Sequence, residues 1–174
     1  MNARYLLTAL KMSLATVVVV AALGASPAHA TDDKIYPGDQ CTVRIIGSSS
    51  TSTVNFFGSI GNLSPTSNLY VDCPLAHDVN TTKINFGVVA VINQVAGSAF
   101  VDRVNCTLFS VNIPSASTYT GWWNTQYSST TSPNTQYLVF GSLPGNDHYF
   151  YSCEIPGVYM GKTSYINAYR INQN

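Results

Sequence analysis

The sequence predicts an all-β protein: a single antiparallel β-sandwich, jelly-roll-like, stapled by two disulfides. Three observations carry this expectation. Short runs rich in aromatic and β-branched residues alternate apolar with polar at the period of a strand. Clusters of Ser, Thr, Asn, Gly and Pro punctuate them at turn spacing. Four cysteines, Cys41, Cys73, Cys106 and Cys153, make an even set. No window holds a sustained 3.6-residue apolar period, so helices are not expected, and many short strands joined by turns suit a sandwich.

The first thirty residues stand apart from the fold. "MNARYLLTALKM" carries Arg4 and Lys11 and no acid, "SLATVVVVAALGA" is a short apolar run, and "SPAHA" ends in Ala28-His29-Ala30. Charged start, apolar middle and small-residue end predict a secretory signal peptide over 1–30, cleaved near Ala30. The apolar run is shorter than the roughly 20 residues that span a bilayer. No Cys sits at the cleavage point, and no later segment could span a membrane as a helix. Residues 31–174 are therefore expected to form one domain, secreted or periplasmic.

The strands follow in order. "NLYVDCPL" sets Leu69, Val71, Cys73 and Leu75 on one face. "KINFGVVAVINQV" sets Ile84, Phe86, Val88, Ala90 and Ile92 on one face. "RVNCTLF" sets Val104, Cys106 and Leu108 together, after which Phe109, Val111 and Ile113 alternate instead, a phase slip that predicts a bulge. The segment from Ser115 to Gln136 reads as a long loop with one short strand. "TQYLVFGSL", "HYFYSCEI" and "SYINAYRI" are aromatic and β-branched runs of strand length. The turns between them are "GSSSTST", "SPTSN", "QVAGS", "TTSPNT", "LPGND" and "PGVYMGK".

The cysteines all fall after residue 30, which in an exported chain reads as disulfides. Zinc binding needs close pairs, whereas the gaps here are 32, 33 and 47 residues. Three connectivities are open. Sequential pairing, Cys41–Cys73 and Cys106–Cys153, closes the shorter loops, contributing about 3.7 and about 4.1 kcal/mol in the chain-entropy account.

Charge excludes one class of partner. The chain has 8 Lys+Arg and 8 Asp+Glu, and cleavage after Ala30 leaves 6 against 8. Arg44, Lys83, Arg103, Lys162 and Arg170 are scattered singly, so the basic cluster that phosphate backbones require is missing.

Catalysis has thin support. "GNDHYFYSCEIPG" gathers Asp147, His148, Ser152 and Glu154, but strand alternation places Tyr149, Tyr151, Cys153 and Ile155 on one face and His148, Phe150, Ser152 and Glu154 on the other. His148 and Glu154 are about 20 Å apart along a straight strand. His77 and His148 have acids beside them, Asp78 and Asp147, but no G-x-S-x-G elbow accompanies them. Among Asp72, Asp78, Asp102, Asp147 and Glu154 no spacing nominates a glycosidase pair. No catalytic residue, metal ligand or cofactor motif is assigned.

"TYTGWWNTQY" carries the functional expectation. Tyr119, Trp122, Trp123 and Tyr127 are the candidate ligand-binding residues, because exposed aromatics stack on sugar rings while Asn124, Gln126 and Asn134 can bond sugar hydroxyls. The competing arrangement buries one Trp in the core, as alternation along a strand would suggest.

The chain resembles a loose group of small, secreted, two-disulfide, all-β proteins of Gram-negative bacteria. The resemblance rests on "NLS" at 62–64 followed by "YVDCP" at 70–74, "VNCTLFS" at 104–110, "LVFGSLPG" at 138–145, "YFYSCEIP" at 149–156 and "SYINAYR" at 164–170. It implies secretion and an all-β fold, and no functional residue carries over from it. The expected function is a non-enzymatic surface or matrix interaction module with a glycan or other cell-surface component as partner. The alternatives are a pilus or fibre subunit and a small secreted hydrolase. "AYRINQN" places Tyr169 five residues from the end, and "TDDKIYPGDQ" lacks an alternating apolar donor strand, which weighs against the pilus reading.

Overall fold

A computed structural model describes residues 32–44, 53–76, 83–94, 103–115, 118–129, 132, 134–159 and 161–173; for 32, 53–56, 113–115 and 118–120 only the backbone is described. The expected signal peptide over 1–30 and the candidate His77 with Asp78 lie outside these residues. Among the described residues the strands are β1 (Asp32–Pro37), β2 (Thr42–Val43), β3 (Thr53–Phe56), β4 (Ser59–Asn62), β5 (Leu69–Pro74), β6 (Lys83–Ile92), β7 (Asn105–Ser115), β8 (Thr118–Tyr127), β9 (Thr135–Phe140), β10 (Leu143–Pro144), β11 (His148–Ile155) and β12 (Tyr165–Gln173).

They form two antiparallel sheets, as expected for a sandwich. In the larger sheet β6 pairs with β12 along one edge and with β9 and β10 along the other. The far edge of β12 takes β1 over Ala168–Gln173 and β4 over Tyr165–Ile166, and β3 closes a hairpin with β4. The smaller sheet runs β2-β5-β11-β7-β8, so β8 is its edge. The inward faces meet in one core, where Leu69, Val71, Leu108 and Ile155 from the smaller sheet face Val89, Val91, Phe140 and Ile171 from the larger.

Tyr151 lies at the centre of that core. Its ring meets Phe140 at 5.1 Å and Tyr169 edge-on at 5.9 Å, and its hydroxyl donates to the Arg170 carbonyl across the sheets at 2.8 Å. Gly87 makes the room: a Cβ there would sit 2.1 Å from the Tyr151 hydroxyl.

Both disulfides pair sequentially, Cys41–Cys73 and Cys106–Cys153. Cys106 and Cys153 are direct cross-strand partners on β7 and β11, and all four cysteines are buried. A buried polar chain fastens the end of β8: Ser164 donates to Asn93, Asn93 to Ser128, and the Val104 amide to Ser128.

Three expectations need correction. Straight alternation places Ile84 with Phe86, Val88, Ala90 and Ile92, but the ladder to β12 passes over Asn85, pairing Asn172 with Phe86 and Gln173 with Ile84. That bulge inverts the phase, so Ile84 joins Val89 and Val91 in the core while Phe86 and Ala90 take the outer side, with Val88 covered between them. In β7 the ladder to β8 is continuous from Asn105 to Asn112, and the irregularity falls between Asn112 and Ser115. Phe109 and Val111 therefore face outward, and the apparent slip is a change in surface chemistry. Within 115–136, expected to be a long loop with one short strand, residues 118–127 form a ten-residue strand. The segment "DDKIYP" forms strand β1, an edge whose Asp33 and Lys34 provide the charge that keeps edges from mispairing.

Candidate functional site

The register of the smaller sheet lines its outward side chains into rows across β5, β11, β7 and β8. One row is Pro74, Phe150, Phe109 and Trp123. The next is Asp72, Ser152, Thr107 and Thr125, and the third is Tyr70, Glu154, Asn105 and Tyr127. Strand spacing gives the aromatic row a length of about 10 Å from Phe150 to Trp123, and rows lie about 7 Å apart.

In the aromatic row the Phe109 and Phe150 rings stack at 4.9 Å with 15° between their planes, and both are half-buried. Trp123 closes the row at the sheet edge with 67% of its surface exposed. Among the described residues β8 is the last strand of this sheet, so Trp123 ends the row.

Polar groups beside the row are held in fixed positions. Arg44 reaches over the sheet edge and grips Asp72 with two donors, and its guanidinium also donates to Ser152 Oγ at 2.7 Å. The bond to Asp72 raises the Arg44 pKa further. Thr107 and Thr125 share a hydrogen bond at 2.9 Å. Glu154 accepts from Asn68 at 2.5 Å, Tyr70 at 2.9 Å and Asn105 at 2.8 Å. That bond pushes the Tyr70 phenol above its ordinary pKa, with burial adding to the effect. Asp72 is thus paired with Arg44, while Glu154 accepts from amide and phenol donors.

The candidate residues divide. Trp123 and Tyr127 lie on this face, both exposed and four residues apart along β8. Trp122 lies on the opposite face of β8, yet it too is exposed, at 61%. The expectation that alternation buries one Trp fails for a physical reason. Ser110, the cross-strand partner of Trp122, is buried and donates to the Pro144 carbonyl of the other sheet at 2.6 Å. Trp122 stands one strand further out, on the edge strand β8. Tyr119 belongs to β8, but its side chain lies outside those described. His148 is exposed on the outward face, across from Val111. Among the described residues no three His, Cys, Asp or Glu gather as a metal site.

Phe109 and Phe150 were not among the expected site residues. Their signal was present: an apolar residue in the outward phase of both β7 and β11, directly opposite one another.

No protein-family model matches the chain, and no curated protein does. Among solved structures the chain is similar to the CBM36-1 domain of a multidomain xylanase from the hindgut metagenome of Trinervitermes trinervoides, at 11% identity and a TM-score of 0.45, covering 80% of this chain and 96% of that one. It is also similar to a carbohydrate-binding module, CBM36, in complex with calcium and xylotriose, at 9% identity and a TM-score of 0.44, covering 79% of this chain and 98% of that one. Likeness at this level fixes no residue correspondence and no ligand for this chain.

Proposed function

We propose that the protein is an exported, non-enzymatic carbohydrate-binding module, and that the outward face of the smaller sheet is its binding face. The observation that carries the reading is the row Phe150–Phe109–Trp123, an apolar strip ending in an exposed indole and bordered by ordered hydroxyl, amide and carboxylate groups. A sugar ring has an apolar face and a hydroxyl edge. The indole takes the first by stacking, and Thr125, Thr107 and Asn105 lie within one or two rows to bond the second. The groups are held by one another before any ligand arrives, which lowers the ordering cost of binding. The negative charge of Glu154 favours neutral sugars over uronates or sulfated chains.

A glycan array tests this, followed by titration of the best neutral oligosaccharide against the wild type and Trp123→Ala. The variant should remain folded and lose about tenfold in affinity, equivalent to about 1.4 kcal/mol. Binding should depend little on salt, since no ion pair is formed. An array without a glycan ligand, or a Trp123→Ala protein that binds as well as the wild type, overturns the reading.

A further inference from the structure

The opposite sheet carries a second surface that the glycan reading does not use. Its outward residues also line up: Tyr137, Ala90, Ala168 and Pro37 in one row, Val139, Val88, Arg170 and Ile35 in the next. Two alanines in the middle of a row flanked by larger side chains leave a depression. It encloses about 290 Å³ and is lined by Ile35, Val88, Ala90, Tyr137, Ala168 and Arg170. Its walls are prominent: Ile35 is 69% and Tyr137 68% exposed.

Arg170 is the charged group of this trough. Its guanidinium lies over the Phe86 ring at 5.1 Å, which fixes its plane. Its other described partner is Asp33, on β1, at 3.7 Å. That separation is too long for a hydrogen bond, and both side chains are over 40% exposed. A guanidinium has five N–H donors in a fork that matches a carboxylate bidentately. The bulge at Asn85 is what brings Phe86 and Val88 to this face, so the trough and the seat of its cation share one cause.

We propose that this trough binds a small monocarboxylic acid built on a single ring. The ring lies on Ala90 and Ala168 between Tyr137 and Ile35, and the carboxylate takes the Arg170 donors in place of Asp33. The volume is at the small end of ligand pockets, roughly 300 Å³ and upward, which suits one ring and not a chain of them. The walls are apolar, the charge at the rim is a cation already oriented by Phe86, and its acidic neighbour is loosely held. Two sources share this chemistry, aromatic acids and sugar acids. The site is independent of the glycan face.

The test is NMR titration of the ¹⁵N-labelled protein with benzoate, glucuronate and benzamide. One or both acids should shift the amides of Ala90, Ala168 and Ile35 saturably at about 1 mM or below. A response to benzoate alone assigns aromatic acids, one to glucuronate alone sugar acids, and one to both the shared carboxylate chemistry. Benzamide should leave those amides unmoved. Arg170→Gln should weaken the acid about tenfold, and Asp33→Asn should strengthen it severalfold by removing the competitor. Asp33→Asn alters an exposed edge residue and keeps the test valid should Arg170→Gln not fold. The proposal is overturned by silence of the trough amides with both acids, by equal binding of benzamide, or by an Asp33→Asn affinity no higher than wild type.

Discussion

Trp122 and Trp123 are adjacent, and their exposure has different causes. Trp123 faces out from the sheet, while Trp122 is on the core side of the edge strand and is still 61% exposed. Neither packs in the interior, so Trp122→Ala and Trp123→Ala should each change stability by no more than about 0.5 kcal/mol in urea melts. A loss of several kcal/mol in either would mean that the indole is buried. Gly87 behaves oppositely. A methyl there must displace the Tyr151 hydroxyl, breaking its buried bond to the Arg170 carbonyl. Gly87→Ala should cost about 1–3 kcal/mol, read from the shift in the unfolding midpoint. A substitution without effect would show that the ring can move aside freely. Glu154 differs again, since its strand neighbours conceal its role. It organises Asn68, Tyr70 and Asn105 into one face, and those residues lie far apart in sequence.

At the level of elements, β11 was legible throughout because every inward residue from Tyr149 to Ile155 is apolar or a half-cystine, while the outward ones include Ser152 and Glu154. β6 was not, because "GVVAVI" is apolar in both phases and gives alternation nothing to report. Only the pairing with β12 reveals the extra residue at Asn85. β7 shows the opposite effect: Phe109 is apolar yet faces outward, in the row with Phe150 and Trp123, so its hydrophobicity mimics a phase slip. β8 shows no apolar alternation because, on this edge strand, Trp122 on one face and Trp123 on the other are both wetted. The β3–β4 hairpin turns on Phe57 and Gly58, with φ of 47° and 78°. Two left-handed residues suit a two-residue hairpin, but Phe carries a steric cost there that Asn largely escapes. Phe57→Asn should therefore raise stability by about 1 kcal/mol, and an unchanged or lowered melting temperature would argue that the Phe57 ring contributes more than its backbone costs. The cross-strand pair Cys106–Cys153 closes a separation of 47 residues. Replacing both with Ala should cost about 2–5 kcal/mol with the secondary structure retained, measurable by circular dichroism and urea titration.

Across the whole molecule, the two sheets share a tyrosine-rich core and present two different outward faces. Burial is the main reason that the phenols of Tyr149, Tyr151 and Tyr169 all lie above their ordinary pKa of 10.0. These groups stay neutral in the fold but ionise freely once unfolded. The stability they confer is complete below about pH 10 and is lost as pH rises past it. Urea melts on either side of that pH should show a falling midpoint, and a midpoint that holds steady would contradict the buried, neutral state of these rings. The outward faces divide the functional questions cleanly, because the face proposed to bind glycan holds one tryptophan, Trp123, and the sole other, Trp122, points the opposite way. The most direct measurement of the central claim is a fluorescence titration of two single-tryptophan proteins, Trp122→Phe and Trp123→Phe, with the neutral oligosaccharide selected by the array. The Trp122→Phe protein, which retains Trp123, should bind and change its emission saturably, while the Trp123→Phe protein should bind more weakly and stay nearly silent. A signal that follows Trp122, or saturable binding that leaves both indoles unperturbed, would contradict the assignment of glycan binding to the outward face of the smaller sheet.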